Sequence, residues 1–374
     1  MQQRFIEKEE EMDKVKGIDV FWNGRPVGRL ALTAAGLCAF EYSGEQIAGG
    51  VSISPFELPL RSGVFVAKPH PFDGGFGVFD DCLPDGWGQL VLDRYLQRQG
   101  VDPHSLTWLD RLALVGATGR GALEFRPDYG VVAENALADL NHLAAEAERI
   151  LGSEAYEGQG IEEFQRRGGS PGGARPKIFT RCDGREWLVK FRAQGDPERV
   201  GEDEYRYSLL AKTCGVEMPE TRLFEGRYFG VERFDRGATG KLHVVSVAGL
   251  LCADYRLPSI DYTHIMQVCA ALTHSMEELW KVYRLMVFNY LIGNKDDHAK
   301  NFAFLYRDGG WHFAPAYDLL PGGGINGYRT TSIHNSITPV KADLLAVAVE
   351  AGLPRVEAEA VFESMRETVA AARP

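Results

Sequence analysis

Apolar residues fall into short alternating runs near the start of the chain and longer periodic runs further on. Ile18-Asp19-Val20-Phe21-Trp22 and Val27-Gly28-Arg29-Leu30-Ala31-Leu32 flank the turn Asn23-Gly24-Arg25-Pro26. This predicts a β-hairpin, because Asn-Gly supplies the positive φ angles of a tight two-strand turn. After Leu83-Pro84-Asp85-Gly86-Trp87-Gly88 the period changes. Leu90, Val91, Leu92, Tyr95 and Leu96 give Gln89 to Gln99 helical spacing, closed by Gly100. Trp108 to Val115 reads as a second short helix, Gly116 to Gly121 as a loop, and Ala122-Leu123-Glu124-Phe125 as a strand. Leu137 to Leu151 is rich in Ala and Glu without Gly or Pro, a helix expected to end the first unit. Residues 152–167 are polar and broken by glycines, which predicts a linker.

A second β-rich stretch follows. Pro176 to Thr180 and Glu186 to Arg192 read as strands around an Asp183-Gly184 turn, Glu202 to Thr213 as a helix ended by Cys214-Gly215, and Tyr228 to Phe234 as another strand. From Val247 the pattern is mostly helical. In Met276 to Ile292 apolar residues cover most of the circumference, which predicts a buried helix ending at Gly293. Phe302 to Tyr306 and Trp311 to Ala314 form a last strand pair around Arg307-Asp308-Gly309-Gly310.

The chain has 374 residues, 45% hydrophobic and 25% charged, ordinary globular composition with enough length for two or three packed units. A formal charge of -11 argues against a DNA-coating surface, which needs clustered Lys and Arg. Six cysteines without a CxxC pair suggest neither a disulfide framework nor a thiolate zinc site, so a reducing cytoplasm is expected. Met1 to Lys16 has no signal-peptide core, and no apolar run nears the roughly 20 residues of a membrane span. Residues 1–17 are expected to be a solvated arm.

The chemistry concentrates in Gly293-Asn294-Lys295-Asp296-Asp297-His298-Ala299-Lys300-Asn301-Phe302. A carboxylate with an amide five positions on is the arrangement of a kinase catalytic loop: Asp296 would orient and deprotonate a hydroxyl while Asn301 holds Mg2+ on nucleotide phosphates. A second hard oxygen ligand should follow, and Asp318, beyond the strand pair, is the candidate. Gly168-Gly169-Ser170-Pro171-Gly172-Gly173-Ala174 offers backbone N–H groups for phosphate. Lys190 ends a strand, and Glu204 on the next helix could hold its ammonium. Taken singly, each has a structural reading: a plain loop, a solvated lysine, an exposed glutamate, a helix N-cap at Asp318, a satisfied core histidine at His298.

Together these residues resemble the HipA-like serine/threonine kinases of bacterial toxin–antitoxin systems. The likeness rests on the Asp296 loop, Tyr317-Asp318, Gly173-Ala174-Arg175-Pro176-Lys177, Val231-Glu232-Arg233-Phe234-Asp235-Arg236, Leu83 to Gly88 and Gly121 to Phe125. It runs from about Ile18 to about Ser336, and the tail beyond is short for a full helical bundle. The resemblance implies an α+β fold with a two-lobed protein-kinase-like core, a β-rich N-lobe and an α-helical C-lobe, preceded by a small α+β amino-terminal domain. Its expected extents are 18–151 for that domain, 168–236 for the N-lobe with the phosphate loop, and 237–374 for the C-lobe.

By the same resemblance Asp296 is the catalytic base, with His298 and Lys300 near the γ-phosphate and Asn301 and Asp318 as Mg2+ ligands. ATP would meet Ser170, Gly172, Gly173, Ala174, Lys177, Lys190, Glu204, Glu232, Arg233, Phe234 and Tyr317, the backbone of Glu232 to Phe234 facing adenine. Ser170 matches the autophosphorylated serine that switches such kinases off by expelling the loop. Arg175 stands where many relatives carry Gln. The implied activity is ATP- and Mg2+-dependent phosphorylation of a cellular protein, an aminoacyl-tRNA synthetase being the suggested class. A helix-turn-helix antitoxin would be the partner, with DNA reached only through it and no membrane contact. The alternatives are a lipid or small-molecule kinase and a catalytically idle repressor-binding module.

Overall fold

A computed structural model describes residues 14–130, 138–153, 156–168, 172–238 and 240–372. The amino-terminal strands Gly17–Trp22 and Arg25–Leu32 pair antiparallel around Asn23 and Gly24, both at positive φ, as the Asn-Gly turn requires. They sit in a five-stranded antiparallel sheet ordered Val64–Val66, Cys38–Tyr42, Arg25–Leu32, Gly17–Trp22, Leu123–Arg126. The helix Trp108–Val115 packs on this sheet and is capped by Thr107 and Asp110. Of the expected solvated arm, residues 1–13 lie outside the described residues; the Val15 N–H is tied to Asp110 Oδ1 at 2.9 Å.

A four-stranded antiparallel sheet follows, in the order Lys177–Cys182, Arg185–Lys190, Tyr228–Glu232, Thr221–Phe224. The Asp183-Gly184 turn takes the positive φ angles expected of it. Helix Val200–Thr213 packs on this sheet and ends before Gly215, which is left-handed. A third sheet joins His243–Ser246, Ala303–Arg307 and Gly310–Phe313. The helix Met276–Ile292 runs beside it, with Val282, Tyr283, Met286, Val287 and Phe288 fully buried.

Two elements differ from the sequence expectation. The second half of the predicted linker 152–167 is helical, within the helix Gly160–Gly168. Ile161 and Phe164, one helical turn apart, are buried there against Trp87, the helix Leu140–Gly152 and the four-stranded sheet. A polar, glycine-flanked segment therefore became a helix because two apolar side chains faced a core. The same core takes in Leu140, Leu143, Ala147 and Ile150 of the helix expected to close the first unit. Beyond Ser336 the chain forms two helices, Lys341–Glu350 and Arg355–Ala372. Their Leu344, Val347, Ala358 and Phe362 are buried in the main core, so the short tail is a packed helical pair.

His243 locks the amino-terminal sheet to the rest. Its ring lies 4.9 Å from Trp22 and 5.7 Å from Trp311, and its Nε2–H donates to Ile53 O at 2.8 Å. Burial pushes its pKa down to about 4 from 6.5. Between those values the unfolded chain takes up a proton that the folded one refuses, so stability falls as pH falls through that window. The loss from this group is on the order of 3 kcal/mol. Urea midpoints followed from pH 7 to pH ~4 should therefore drop less steeply in His243→Gln than in the wild type.

Candidate active site

The buried helix Met276–Ile292 delivers the candidate catalytic loop. It stops at Gly293, whose φ of 74° is left-handed and costs glycine little. Asn294 then acts as a clamp. Its Oδ1 accepts the Asp296 N–H at 3.1 Å, and its Nδ2 donates to Asn289 Oδ1 at 3.1 Å and to Asp318 O at 3.4 Å. One buried amide thus joins the loop bearing Asp296 to the loop bearing Asp318. Asn301 Nδ2 donates to Asp296 O at 2.9 Å, so its Oδ1 remains the atom available to a cation.

Asp318 has a φ of 59°, a left-handed conformation that Asp tolerates better than most residues. Its Oδ1 lies 2.8 Å from Lys190 Nζ, which also meets Glu204 Oε1. The Lys190 ammonium holds the Asp318 carboxyl well below the usual carboxylate range. Burial works against the Lys190 charge, but Asp318 and Glu204 outweigh it and keep the group protonated. The expected Lys190–Glu204 pair is therefore present, with Glu204 buried and Lys190 partly so. Arg175 joins it with two bonds to Asp196, at 2.9 and 3.2 Å, and an approach of 3.9 Å to Glu204.

These groups line one cleft of about 700 Å3. Every candidate site residue except Ser170, which lies outside the described residues, is on its wall. Lys177 is buried, its Nζ against Gly172 O, and burial together with the Lys190 charge lowers it to about 8. Partial burial pushes the Asp296 carboxyl up; His298 opposes this and the like charge of Asp318 adds to it. Burial pushes His298 down, against the pull of Asp296. At the far end the N–H groups of Glu232 and Arg233 are already bonded, to Glu220 O at 2.8 Å and Glu186 O at 2.9 Å. Among the described residues only Phe234 of that trio keeps its N–H free for a ligand.

Tyr317 and Lys300 are held within the protein. Tyr317 stacks on Phe234 at 5.9 Å, donates its hydroxyl to Lys300 O at 2.7 Å and accepts from Arg120 Nη2 at 2.9 Å. Lys300 Nζ lies 3.0 Å from Asp80 and 3.2 Å from Asp85. Arg120 and these two carboxylates come from the amino-terminal region and had no assigned role in the sequence. Their only signal was an Arg between glycines, one acid just before the Leu83–Gly88 motif and one within it.

Eight Asp or Glu and six Lys or Arg residues line the cleft. A polyphosphate entering this acidic wall needs added positive charge. Asn301 and Asp318 offer two oxygen ligands, the sparse protein contribution that Mg2+ completes with phosphates and water. Among the described residues no group of three His, Cys, Asp or Glu side chains comes together as a metal site.

Beneath the loop lies a network that the sequence did not announce. Arg329 Nη2 donates to Asp297 Oδ2 at 2.7 Å, Tyr262 Oη donates to the same oxygen at 2.8 Å, and Asn289 Nδ2 donates to Tyr262 Oη at 3.0 Å. Arg329 and Asp297 are 4% and 1% exposed, so removing one strands the other in a low dielectric. Arg329→Met should cost about 3–5 kcal/mol in urea unfolding. The double variant Asp297→Asn/Arg329→Met should cost clearly less, because no unpaired charge remains.

The family described as "HipA N-terminal domain" matches residues 18–126, and "HipA-like C-terminal domain" matches 169–373. The likeness thus continues past Ser336, through both terminal helices. A Sinorhizobium fredii (strain NBRC 101917 / NGR234) protein named "Putative kinase Y4dM" is 27% identical over 383 residues, spanning 96% of this chain and 90% of its own. "Putative kinase Y4mE" of the same strain is 28% identical over 346 residues, 82% of this chain and 77% of its own. A solved chain from the Shewanella oneidensis MR-1 complex of HipA, HipB and operator DNA superposes with a TM-score of 0.68 at 18% identity. It covers 95% of this chain and 90% of that one, a shared mixed α/β fold. With both domains present in order, and the carboxyl-terminal one covering more than half of its length, the chain belongs to the HipA-like family.

Proposed function

We propose that the protein is an ATP- and Mg2+-dependent protein serine/threonine kinase. One observation carries this reading: Asp296, Asn301 and Asp318 share a cleft wall with the Lys190–Glu204 pair, and an asparagine links the two loops that bear the carboxylates. In this reading residues 168–236 form the β-rich lobe and 237–374 the helical lobe, the cleft lying between them.

Each residue has a role suited to its surroundings. Asp296, exposed at the cleft mouth, accepts the proton of a substrate hydroxyl and aims its oxygen. Lys190, freed from Asp318 as ligand oxygens arrive, contacts the nucleotide phosphates while Glu204 keeps it in place. Phe234 faces the adenine with its free N–H, and the Gly172–Ala174 segment borders the phosphates although the Gly173 N–H is given to Asp85. Mg2+ held by Asn301 and Asp318 would neutralise phosphate charge that the acidic wall otherwise repels. Asp318 is poised for this, since the Lys190 ammonium beside it already favours its ionised form.

The wider biology follows the family resemblance: a toxin that arrests growth by phosphorylating a cellular protein, an aminoacyl-tRNA synthetase being one candidate. It would be restrained by a helix-turn-helix antitoxin and by phosphorylation at Ser170. The net charge of -11 supports contact with DNA through that partner only. No helix among the described residues is long and apolar enough to cross a membrane.

Two outcomes test the reading. Asp296→Gln should lower phosphate transfer from ATP to proteins of a cell lysate by at least about 100-fold, with an unchanged melting temperature; retained transfer removes the assignment. Ser170→Ala should abolish self-labelling while calorimetry still detects Mg2+-dependent ATP binding, and label persisting on other peptides alone would end the switch proposal.

A further inference from the structure

The motif Leu83 to Gly88 lies in the amino-terminal domain, yet Asp85 and Gly86 stand on the cleft wall. Asp85 occupies the N-cap position of the helix Gly86–Arg98, where an Asp side chain ordinarily accepts from the first turn. It makes no such bond. Its Oδ1 instead accepts the Gly173 N–H, at the root of the phosphate loop, and its Oδ2 lies 3.2 Å from Lys300 Nζ in the catalytic loop. A carboxylate that forgoes its own helix to join two loops from another domain is placed for a purpose other than capping.

The docking is double. Gly173 O accepts the Trp87 N–H at 3.1 Å, so both polar groups of the Gly173 backbone are taken by residues 85–87. Gly86, at a φ of 48°, permits the approach: a Cβ there would lie 2.7 Å from Gly173 O and 3.0 Å from Ala174 Cα. Trp87 is buried in the core beneath the four-stranded sheet, which makes the dock rigid. On the other side Lys300 is held by Asp80 as well and lies 4.2 Å from the Tyr255 ring centroid, so its ammonium has a fixed place.

We propose that Asp85 is a positioning residue for phosphoryl transfer: it sets the phosphate loop and the catalytic loop at a fixed separation, so that nucleotide and base meet in register. This rests on the kinase reading above. Asp85 touches neither substrate nor phosphate in this role; it acts through Gly173 and through Lys300. The two arms are separable by chemistry. An Asn side chain keeps an oxygen for the Gly173 N–H but loses the charge on Lys300, whereas Ala loses both.

Steady-state kinetics with ATP and a lysate protein acceptor, paired with hydrogen exchange of peptides covering 172–177, distinguish the arms. Asp85→Asn should keep KM for ATP and slow Gly173 exchange while kcat falls by roughly tenfold, the worth of one hydrogen bond to a charged group. Asp85→Ala should raise KM by a similar factor and speed exchange at Gly173, with an unchanged melting temperature. Unaltered KM and exchange in Asp85→Ala overturn the proposal, as does equal kinetic damage from both variants. If wild-type protein transfers no phosphate, the kinase reading fails, yet exchange at Gly173 still reports on the tether by itself.

Discussion

Lys190 is held between two carboxylates that approach from different elements, and the site is organised around that arrangement. Glu204 comes from the helix behind the strand and Asp318 from a loop more than a hundred residues downstream. Burial and the charge of Asp318 push the Glu204 carboxyl up while Lys190 draws it down, and the two carboxylates together outweigh the burial that works against the ammonium. The triad therefore fixes the strand, the helix and the loop against one another before any ligand arrives. It also leaves the cleft with an excess of acid that only cations can balance.

What lay open in the sequence were features with local causes. Asn23-Gly24, Asp183-Gly184 and Asp308-Gly309 each announced a hairpin because their backbone angles are rare for other residues. The buried helix before Gly293 was legible because its apolar residues ran round the whole circumference. The Asp296, Asn301 and Asp318 set could be proposed because metal and hydroxyl chemistry restricts the spacing and type of its members.

What stayed hidden depends on partners far away in the chain. Nothing near Arg329 signals that it neutralises Asp297, and nothing near Arg120 signals that it meets Tyr317. Ile161 and Phe164 look incidental until the face of Trp87 and the sheet are in place to receive them. The terminal helices likewise gain their order from the long helix they cover. Glu232 and Arg233 could be proposed for a nucleotide from sequence, but that their N–H groups are already engaged required knowledge of the neighbouring strands.

The shared cores make the two family segments one mechanical object. Tryptophan 87, from the first segment, packs under the sheet of the second, and the glycine before it leaves no room for even a methyl group. Recombination between relatives is constrained accordingly: a chimera joined at residue 150 would inherit residues 83–88 from one parent and 172–175 from the other. Unless those two stretches descended together, the hybrid would begin with a mismatched seam beside its cleft.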